Sequence, residues 1–306
     1  MIKSLRKRFV FFNMLVISSI AAIIGLSMFL GSPNNDIAVY RHVATIVLVV
    51  TMVYIGSLIL SKLAIRPIQA SWQKQLDFTA DASHELRTPI TIIQTNLDLV
   101  MDSPEETVES QMKWLKNIEA ENMRMAKLVE DLLTLSRADT DQPMLEKEIF
   151  MLDEAISETT LSFEPIATEK NIELNVVVNN QIAYNGDRKR IKQLLVILLD
   201  NALHYTDSGT VTVDLVRDEK EITITVSDTG HGIEAEHLDK IFNRFYRVSK
   251  TKTLNQDGAG LGLSIAKWIV QEHGGRIQAT STIGVGTSFV VHLPSKLYFS
   301  TVFRTP

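Results

Sequence analysis

The stretch Ala82-Ser-His-Glu-Leu-Arg-Thr-Pro89 lies inside an apolar pattern whose steps alternate between three and four residues. This spacing is typical of the buried seam of a helical bundle. Asp102-Ser-Pro104 interrupts the pattern, and a second series of the same kind ends near Asp139. The sequence therefore predicts a helical hairpin over 76–139. Its apolar seam consists of Leu76, Thr79, Ala82, Leu86, Ile90, Ile93, Leu97 and Val100, then Leu115, Ile118, Asn122, Met125, Val129 and Leu132.

A single hairpin of this kind cannot bury both of its apolar stripes. Two copies would form a four-helix bundle, so we expect a homodimer through the hairpin. Asn122 is the one polar residue in the second series, and it would lie within the seam.

His84 points away from the seam, because it lies two residues from both Ala82 and Leu86 along the helix. A solvent-facing histidine on a bundle helix is usually an ordinary surface residue, and His84 alone leaves that interpretation open. A neutral imidazole is also a competent nucleophile, and an adjacent carboxylate can orient its ring and stabilise the developing charge. Glu85 follows directly, and Thr88 lies on the same helical face, which makes His84 a candidate reactive group.

Two uncharged runs in the N-terminal part predict membrane-spanning helices. No charged side chain occurs between Phe9 and Asn35 or between His42 and Ser61, and each run is long enough to cross a bilayer. The expected segments are a cytoplasmic N-terminus at 1–8, a first span at 9–31, an extracytoplasmic loop at 32–42, a second span at 43–61 and a linker helix at 62–75.

Basic residues flank these two spans on their outer ends, as Lys3, Arg6, Lys62 and Arg66 illustrate. The positive-inside rule then predicts a two-pass protein of the cytoplasmic membrane with both termini in the cytoplasm. A cleaved signal peptide is the alternative for the first run, although the run is too long and lacks an A-x-A cleavage pattern.

The pattern changes after residue 146, where alternating and β-branched segments mix with helical ones. Strands and helices without a strict β-α-β repeat indicate an α/β layer architecture with a mostly antiparallel sheet over 146–294, followed by a tail at 295–306. Strands are expected at 172–178, 209–216, 221–227, 276–281 and 287–293, and helices near 152–169, 187–206, 234–241 and 261–273.

Three motifs in this part have the residue types of a nucleotide site. Asn201 lies on an apolar helix, and its amide oxygen suits Mg²⁺. Asp228-Thr-Gly-His-Gly232 follows a strand, where a carboxylate can accept from an exocyclic amine and glycines allow close approach. Gly258-Ala-Gly-Leu-Gly262 opens a helix, where backbone N–H groups can bind phosphate. Each motif alone also fits an ordinary helix end, turn or loop.

Composition excludes several other classes of protein. The net charge of -5 gives no reason to expect nucleic-acid binding. The chain contains no cysteine, which excludes disulfides, Cys-ligated metals and a thiol nucleophile.

In this order and spacing, the motifs resemble those of membrane sensor histidine kinases of two-component systems. The segment 83–89 is similar to their H box, 200–206 to the N box, 228–232 to G1, 241–247 to the F box and 258–262 to G2. The resemblance covers about 65–294. It implies a membrane-anchored α plus α/β fold, in which a dimerising phosphotransfer hairpin precedes a Bergerat-type ATP-binding domain, with ATP and Mg²⁺ as ligands.

The resemblance also implies a role for each matched residue. His84 is the expected phosphoacceptor, Glu85 its polarising partner, and Thr88 a residue that places water when the reaction runs in reverse. Asn201 would hold Mg²⁺, and Asp228 would bind adenine. The other expected nucleotide-site residues are His204, Tyr205, Gly230, Gly232, Tyr246, Arg247, Gly258, Gly260 and Gly262.

The resemblance implies that His84 is phosphorylated from ATP and passes the phosphoryl group to an aspartate of a separate response regulator, which the protein would also dephosphorylate. The chain departs from the family at Ile197, where a further Asn is frequent, and at His204, where Lys or Arg usually contacts the phosphates. A neutral imidazole carries less charge, so we expect ATP binding to weaken as the pH rises. Pro67 resembles the start of a HAMP relay, but a full module does not fit before the hairpin.

Two alternatives stay open. One is a related ATPase that uses the same fold for hydrolysis or conformational work. The other is a membrane-anchored regulator phosphatase or scaffold with weak or no autokinase activity, which the residues at Ile197 and His204 leave open.

Overall fold

The computed structural model describes residues 11–29 except 12, 16, 23, 27 and 28, together with 36–138, 145–178, 181–248 and 258–295. The chain divides into two units, 1–81 and 82–306. The described residues between 11 and 29 are helical, and helix α1 (Asp36–Met101) follows them. Residues 36–42, which the sequence predicts to lie in a loop, therefore belong to a helix.

The membrane-anchored part of the predicted fold class is wrong for the residues that the structure describes. None of their helices combines the length and the apolar character that crossing a bilayer requires. The prediction of spans at 9–31 and 43–61 was based on the absence of charge, whereas a span needs about 20 consecutive, predominantly apolar residues in one helix. Parts of the first predicted span, and all of 1–8 and 296–306, lie outside the described residues.

The helical hairpin is formed by the end of α1 and by α2 (Val108–Ala138), with the predicted break between them. The buried side chain of Gln111 closes the turn, since its Nε2 donates to the Val100 oxygen at 3.1 Å and to the Ser103 oxygen at 2.8 Å. The first bond satisfies a carbonyl group in the last turn of α1, and the second fixes the turn that follows it.

A polar contact joins the two helices of the hairpin at a position that the sequence does not predict. The Asn117 Nδ2 donates to the Asn96 Oδ1 at 3.2 Å, and the Asn96 Nδ2 donates to the Ile92 oxygen at 2.7 Å. Asn96 is buried, whereas Asn122, the polar residue expected within the seam, is exposed. A buried amide whose nitrogen and oxygen both have partners fixes the register of the helices more sharply than apolar contacts do.

The described residues of the C-terminal part form seven strands, of which β1 (Glu148–Met151) and β3 (Ala183–Gly186) make a separate antiparallel pair. The other five strands form one sheet. Its neighbouring strands are antiparallel, except that β2 (Ile172–Val178) and β4 (Gly209–Arg217) run parallel. The sheet is therefore mostly antiparallel, as predicted. The strands are β1 (Glu148–Met151), β2 (Ile172–Val178), β3 (Ala183–Gly186), β4 (Gly209–Arg217), β5 (Glu221–Asp228), β6 (Arg276–Thr282) and β7 (Gly286–Pro294), and the sheet order is β2-β4-β5-β7-β6.

Helices cover one face of this sheet and form the second layer of the α/β part. On β5 the buried residues alternate, which directs Ile222, Ile224 and Val226 towards the helices. The segment predicted as one helix at 152–169 is divided in two by a turn at Ser162 and Phe163. The helices are α3 (Leu152–Leu161), α4 (Glu164–Glu169), α5 (Arg188–His204), α6 (Ala235–Leu238) and α7 (Gly262–Glu272).

Candidate active site

Asp228 ends β5 at the edge of a cleft and is only 9% exposed. Its Oδ1 accepts from the backbone N–H of Gly230 at 2.9 Å and of Thr287 at 3.2 Å. Burial raises the pKa of this carboxyl group, and the two N–H donors oppose that rise. Among the described residues, no hydrogen bond to Oδ2 is recorded, so this oxygen is placed to accept from a ligand.

Gly230 occupies a position where a side chain does not fit. A Cβ atom there would lie 2.2 Å from the Tyr205 carbonyl oxygen and 3.0 Å from the Asp228 Oδ1. Any larger residue would push the end of α5 away from the carboxylate. Glycine therefore allows the turn after β5 and the end of α5 to meet at Asp228.

The last turn of α5 contributes Asn201, His204 and the following residue Tyr205 to the cleft. The Asn201 Nδ2 donates to the Ile197 oxygen at 2.6 Å, which orients the amide and leaves its oxygen as the group available to a cation. The rings of His204 and Tyr205 meet edge to face with centroids 4.8 Å apart.

The opposite side of the cleft is built by the segments before and after 249–257, which lies outside the described residues. Tyr246 and Arg247 line it from the first segment, and Gly258, Gly260 and Gly262 line it from the second. Gly262 begins α7, where free backbone N–H groups favour an anion.

These side chains surround one cleft of about 1430 Å³. That volume exceeds the ~300–1,000 Å³ of most small-molecule sites because part of the hairpin forms one wall. Three predicted site residues, His84, Thr88 and Gly230, do not line it, and Gly230 acts through Asp228. The predicted residues that do line it are Glu85, Asn201, His204, Tyr205, Asp228, Gly232, Tyr246, Arg247, Gly258, Gly260 and Gly262.

The hairpin wall brings the candidate phosphoacceptor helix to the cleft. Glu85 and Pro89 of α1 line the cleft, while the neighbouring His84 is exposed. On α2, the Lys127 Nζ lies 3.9 Å from the Asp200 Oδ2, next to Asn201 on α5. The hairpin and the α/β domain therefore meet next to two predicted site residues, Glu85 on α1 and Asn201 on α5.

Sequence reasoning missed the basic side chains that line the cleft. Acidic side chains line the cleft as well, so a basic side chain assists the binding of phosphate only where it lies close to it. The run of basic residues at the start of α5 could have indicated some of these basic side chains, but it belongs to none of the sequence motifs. The basic lining residues beyond Arg247 are Arg124, Lys127, Arg137, Lys189, Arg190 and Lys192.

The donor set fits a nucleoside triphosphate with its metal ion. The Asp228 Oδ2 offers an acceptor for an amine, the N-terminus of α7 offers N–H groups for phosphates, and the Asn201 oxygen offers a ligand for a hard cation. Mg²⁺ usually takes few protein ligands and completes its shell with water and phosphate.

Comparisons with known proteins agree with this arrangement. Residues 74–141 match the His Kinase A (phospho-acceptor) domain, and residues 186–297 match the histidine kinase-, DNA gyrase B-, and HSP90-like ATPase family. The chain belongs to the sensor histidine kinases of two-component systems. The two domains of this histidine kinase occur in the order that the motifs predict.

Sensor protein SrrB of Staphylococcus aureus is 34% identical over 227 residues, which is 72% of this kinase and 38% of SrrB. This kinase therefore spans well under half the length of the curated relatives that it matches. The structure of the Acinetobacter baumannii histidine kinase AdeS is 27% identical, with a TM-score of 0.58 over 70% of this kinase and 98% of that chain. Histidine kinase ThkA, solved in complex with response regulator protein TrrA, is 28% identical, with a TM-score of 0.60 over 78% and 66%.

Proposed function

We propose that this kinase phosphorylates its own His84 from ATP and passes the phosphoryl group to an aspartate of a response regulator. The observation that carries the proposal is that α1 holds an exposed His84 while its neighbours Glu85 and Pro89 line the cleft that contains Asp228. One helix thus presents the nucleophile and forms a wall of the nucleotide site.

In the proposed reaction a ring nitrogen of His84 attacks the γ-phosphorus of ATP. A P–N bond forms, the bond from phosphorus to the β–γ bridging oxygen breaks, and ADP leaves. The Glu85 carboxylate accepts from the imidazole and stabilises its positive charge until the ring proton is lost to solvent. The phosphorylated nitrogen then donates its phosphoryl group to a carboxylate of the regulator.

The nucleotide is held by groups with separate tasks. The Asp228 Oδ2 accepts from the adenine amine, and the N-terminus of α7 binds the phosphates. Mg²⁺ would be held by the Asn201 oxygen, and it would neutralise charge on the phosphates. Catalysis then consists mainly of positioning and charge stabilisation.

We also propose a homodimer through the hairpin. Within the described chain, several apolar residues of the hairpin seam stay exposed, among them Ile90 at 52%, Leu97 at 40% and Val129 at 44%. A second copy would cover them, as expected from the seam. The cellular location expected from the basic residues stays a prediction.

The proposed phosphorylation is tested with purified protein and ATP labelled in the γ-phosphate. The wild-type protein is expected to acquire phosphate that is labile to acid and stable to alkali, and to pass it to a response regulator. The variant His84→Gln is expected to lose the label and to keep its affinity for ADP, because His84 does not line the cleft.

The matched control is His292→Gln on β7, whose side chain lies outside the lining of the cleft and contacts Thr223 and Glu221. This control should be labelled like the wild-type protein. Labelled His84→Gln would contradict the assignment of the phosphoacceptor. An unlabelled wild-type protein that still dephosphorylates a regulator would favour the phosphatase alternative.

A further inference from the structure

His237 lies outside the motifs considered above, yet it contacts one of the residues that line the nucleotide cleft. It belongs to α6, and its Nδ1 lies 2.7 Å from the hydroxyl oxygen of Tyr246. The two rings lie 6.0 Å apart with an interplanar angle of 52°. The His237 side chain is only 17% exposed, so most of this contact is shielded from water.

The other ring nitrogen of His237 lies beside two carboxylates, which fixes the orientation of the ring. Its Nε2 lies 3.4 Å from the Glu236 Oε1 and 3.8 Å from the Glu234 Oε2. Ionised carboxylates only accept, so the Nε2 carries a proton that points towards them. The Nδ1 is thereby left facing the Tyr246 hydroxyl, and the two atoms share one hydrogen bond.

Tyr246 is held at a strained part of the backbone. The preceding Phe245 has a φ of 58°, a left-handed conformation that bulky residues rarely adopt. Its N–H donates to the Gly260 oxygen at 3.0 Å. A Cβ atom at Gly260 would lie 2.9 Å from the Tyr246 carbonyl oxygen, so the two segments that flank 249–257 are in close contact here.

A strained residue persists only where surrounding contacts hold it. The bond from Phe245 to Gly260 holds one side of this junction, and the bond from Tyr246 to His237 holds the other. We infer that His237 is a positioning residue for nucleotide binding. It holds Tyr246 in place, and Tyr246 in turn supports the segment around Gly260 that lines the cleft. The inference rests on the proposed function of the cleft and adds a residue that does not itself line the cleft.

The test measures the affinity of the full chain for ADP by calorimetry, and the KM for ATP and the kcat of His84 phosphorylation. His237→Ala should raise both the Kd and the KM about fivefold, the change expected for one lost hydrogen bond of about 1 kcal/mol. The kcat should stay within twofold, because His237 does not itself line the cleft.

Two conservative variants separate positioning from packing. His237→Asn places an amide near the position of Nδ1, and should restore the wild-type KM. His237→Gln places its amide near the position of Nε2, beside Glu236, and should behave like His237→Ala. Tyr246→Phe should raise the KM by a similar factor, and the double variant with His237→Ala should be no worse than either single change.

The matched control is His292→Ala, since His292 also contacts a hydroxyl group and a glutamate but lies outside the lining of the cleft. Its KM should equal that of the wild-type protein. An unchanged KM in His237→Ala, or additive effects with Tyr246→Phe, would overturn the inference. If His237→Ala fails to fold, the KM values of His237→Asn, His237→Gln and Tyr246→Phe test the inference by the same criteria.

Failure of the proposed function gives a different result. A wild-type protein that binds no ADP would refute nucleotide binding at the cleft, and the inference with it. Wild-type binding together with unaffected His237 variants would refute the inference alone.

Discussion

Replacing Asp131 by asparagine should stabilise this kinase at neutral and alkaline pH. Asp131 lies on α2 and lines the cleft, and burial raises the pKa of its carboxyl group from 3.8 to about 6. The charge of Lys127 opposes this rise, and that of Glu130 adds to it. The ionised carboxylate is therefore disfavoured in the folded state, and asparagine removes the charge at almost constant shape.

The pKa difference gives the size of the effect. A rise from 3.8 to about 6 corresponds to about 3 kcal/mol. Solvent screens a side chain that is only partly buried, so we take about half of this value, ~1.5 kcal/mol. A raised carboxyl pKa means that stability is complete below pH 3.8 and is lost as the pH rises through about 6.

Thermal unfolding of the full chain from pH 5 to pH 8 provides the assay. Asp131→Asn should raise the Tm by about 3–6 °C at pH 8. By pH 5 this gain should fall to about half, because the unfolded carboxyl group still ionises there. Glu119→Gln, an exposed change on the same helix, should leave the Tm nearly unaltered. An equal or lower Tm for Asp131→Asn at pH 8 would refute the argument from burial and indicate that the carboxylate is favourably paired.

Two further predictions concern a buried ring and the hairpin surface. Burial lowers the pKa of His273, whose Nε2 accepts from the Asp187 N–H at 3.0 Å, so the unfolding free energy should fall as the pH drops below 6.5. Urea unfolding from pH 5 to pH 7.5 should show this loss in the wild-type protein and a weaker one in His273→Gln. An equal dependence of the unfolding free energy on pH in the two proteins would contradict the prediction. Light scattering should give twice the monomer mass of 34.4 kDa, and Leu97→Glu should halve that value, whereas a monomeric wild-type protein would exclude the proposed dimer.

Much of the α/β domain could be predicted because its elements have strong local patterns. The alternation of Ile222, Ile224 and Val226 identifies β5, and the apolar run of α5 identifies a buried helix. The strands β1 and β3 were missed because four residues offer only two positions on each face. The membrane spans were predicted from missing charge alone, a weaker criterion than continuous apolar helix.

The candidate site was predictable to the extent that its residues occur in motifs. Asn201 and Asp228 stand in short segments whose residue types suit a cation and an amine, and both line the cleft. His237 could not be identified in this way, because its partner Tyr246 is nine residues away along an irregular segment. No periodic pattern relates two positions of that kind.

The order of the segments in the chain was enough to identify the hairpin, the α/β domain and the exposed His84, because helical and strand periods are local properties. Only the tertiary structure brings the Thr287 N–H to Asp228, 59 residues away, and Lys127 of α2 to Asp200 of α5. Such contacts depend on how the strands pair and how the helices pack. Local residue patterns do not encode those distances, so the shared cleft emerges only from the folded chain.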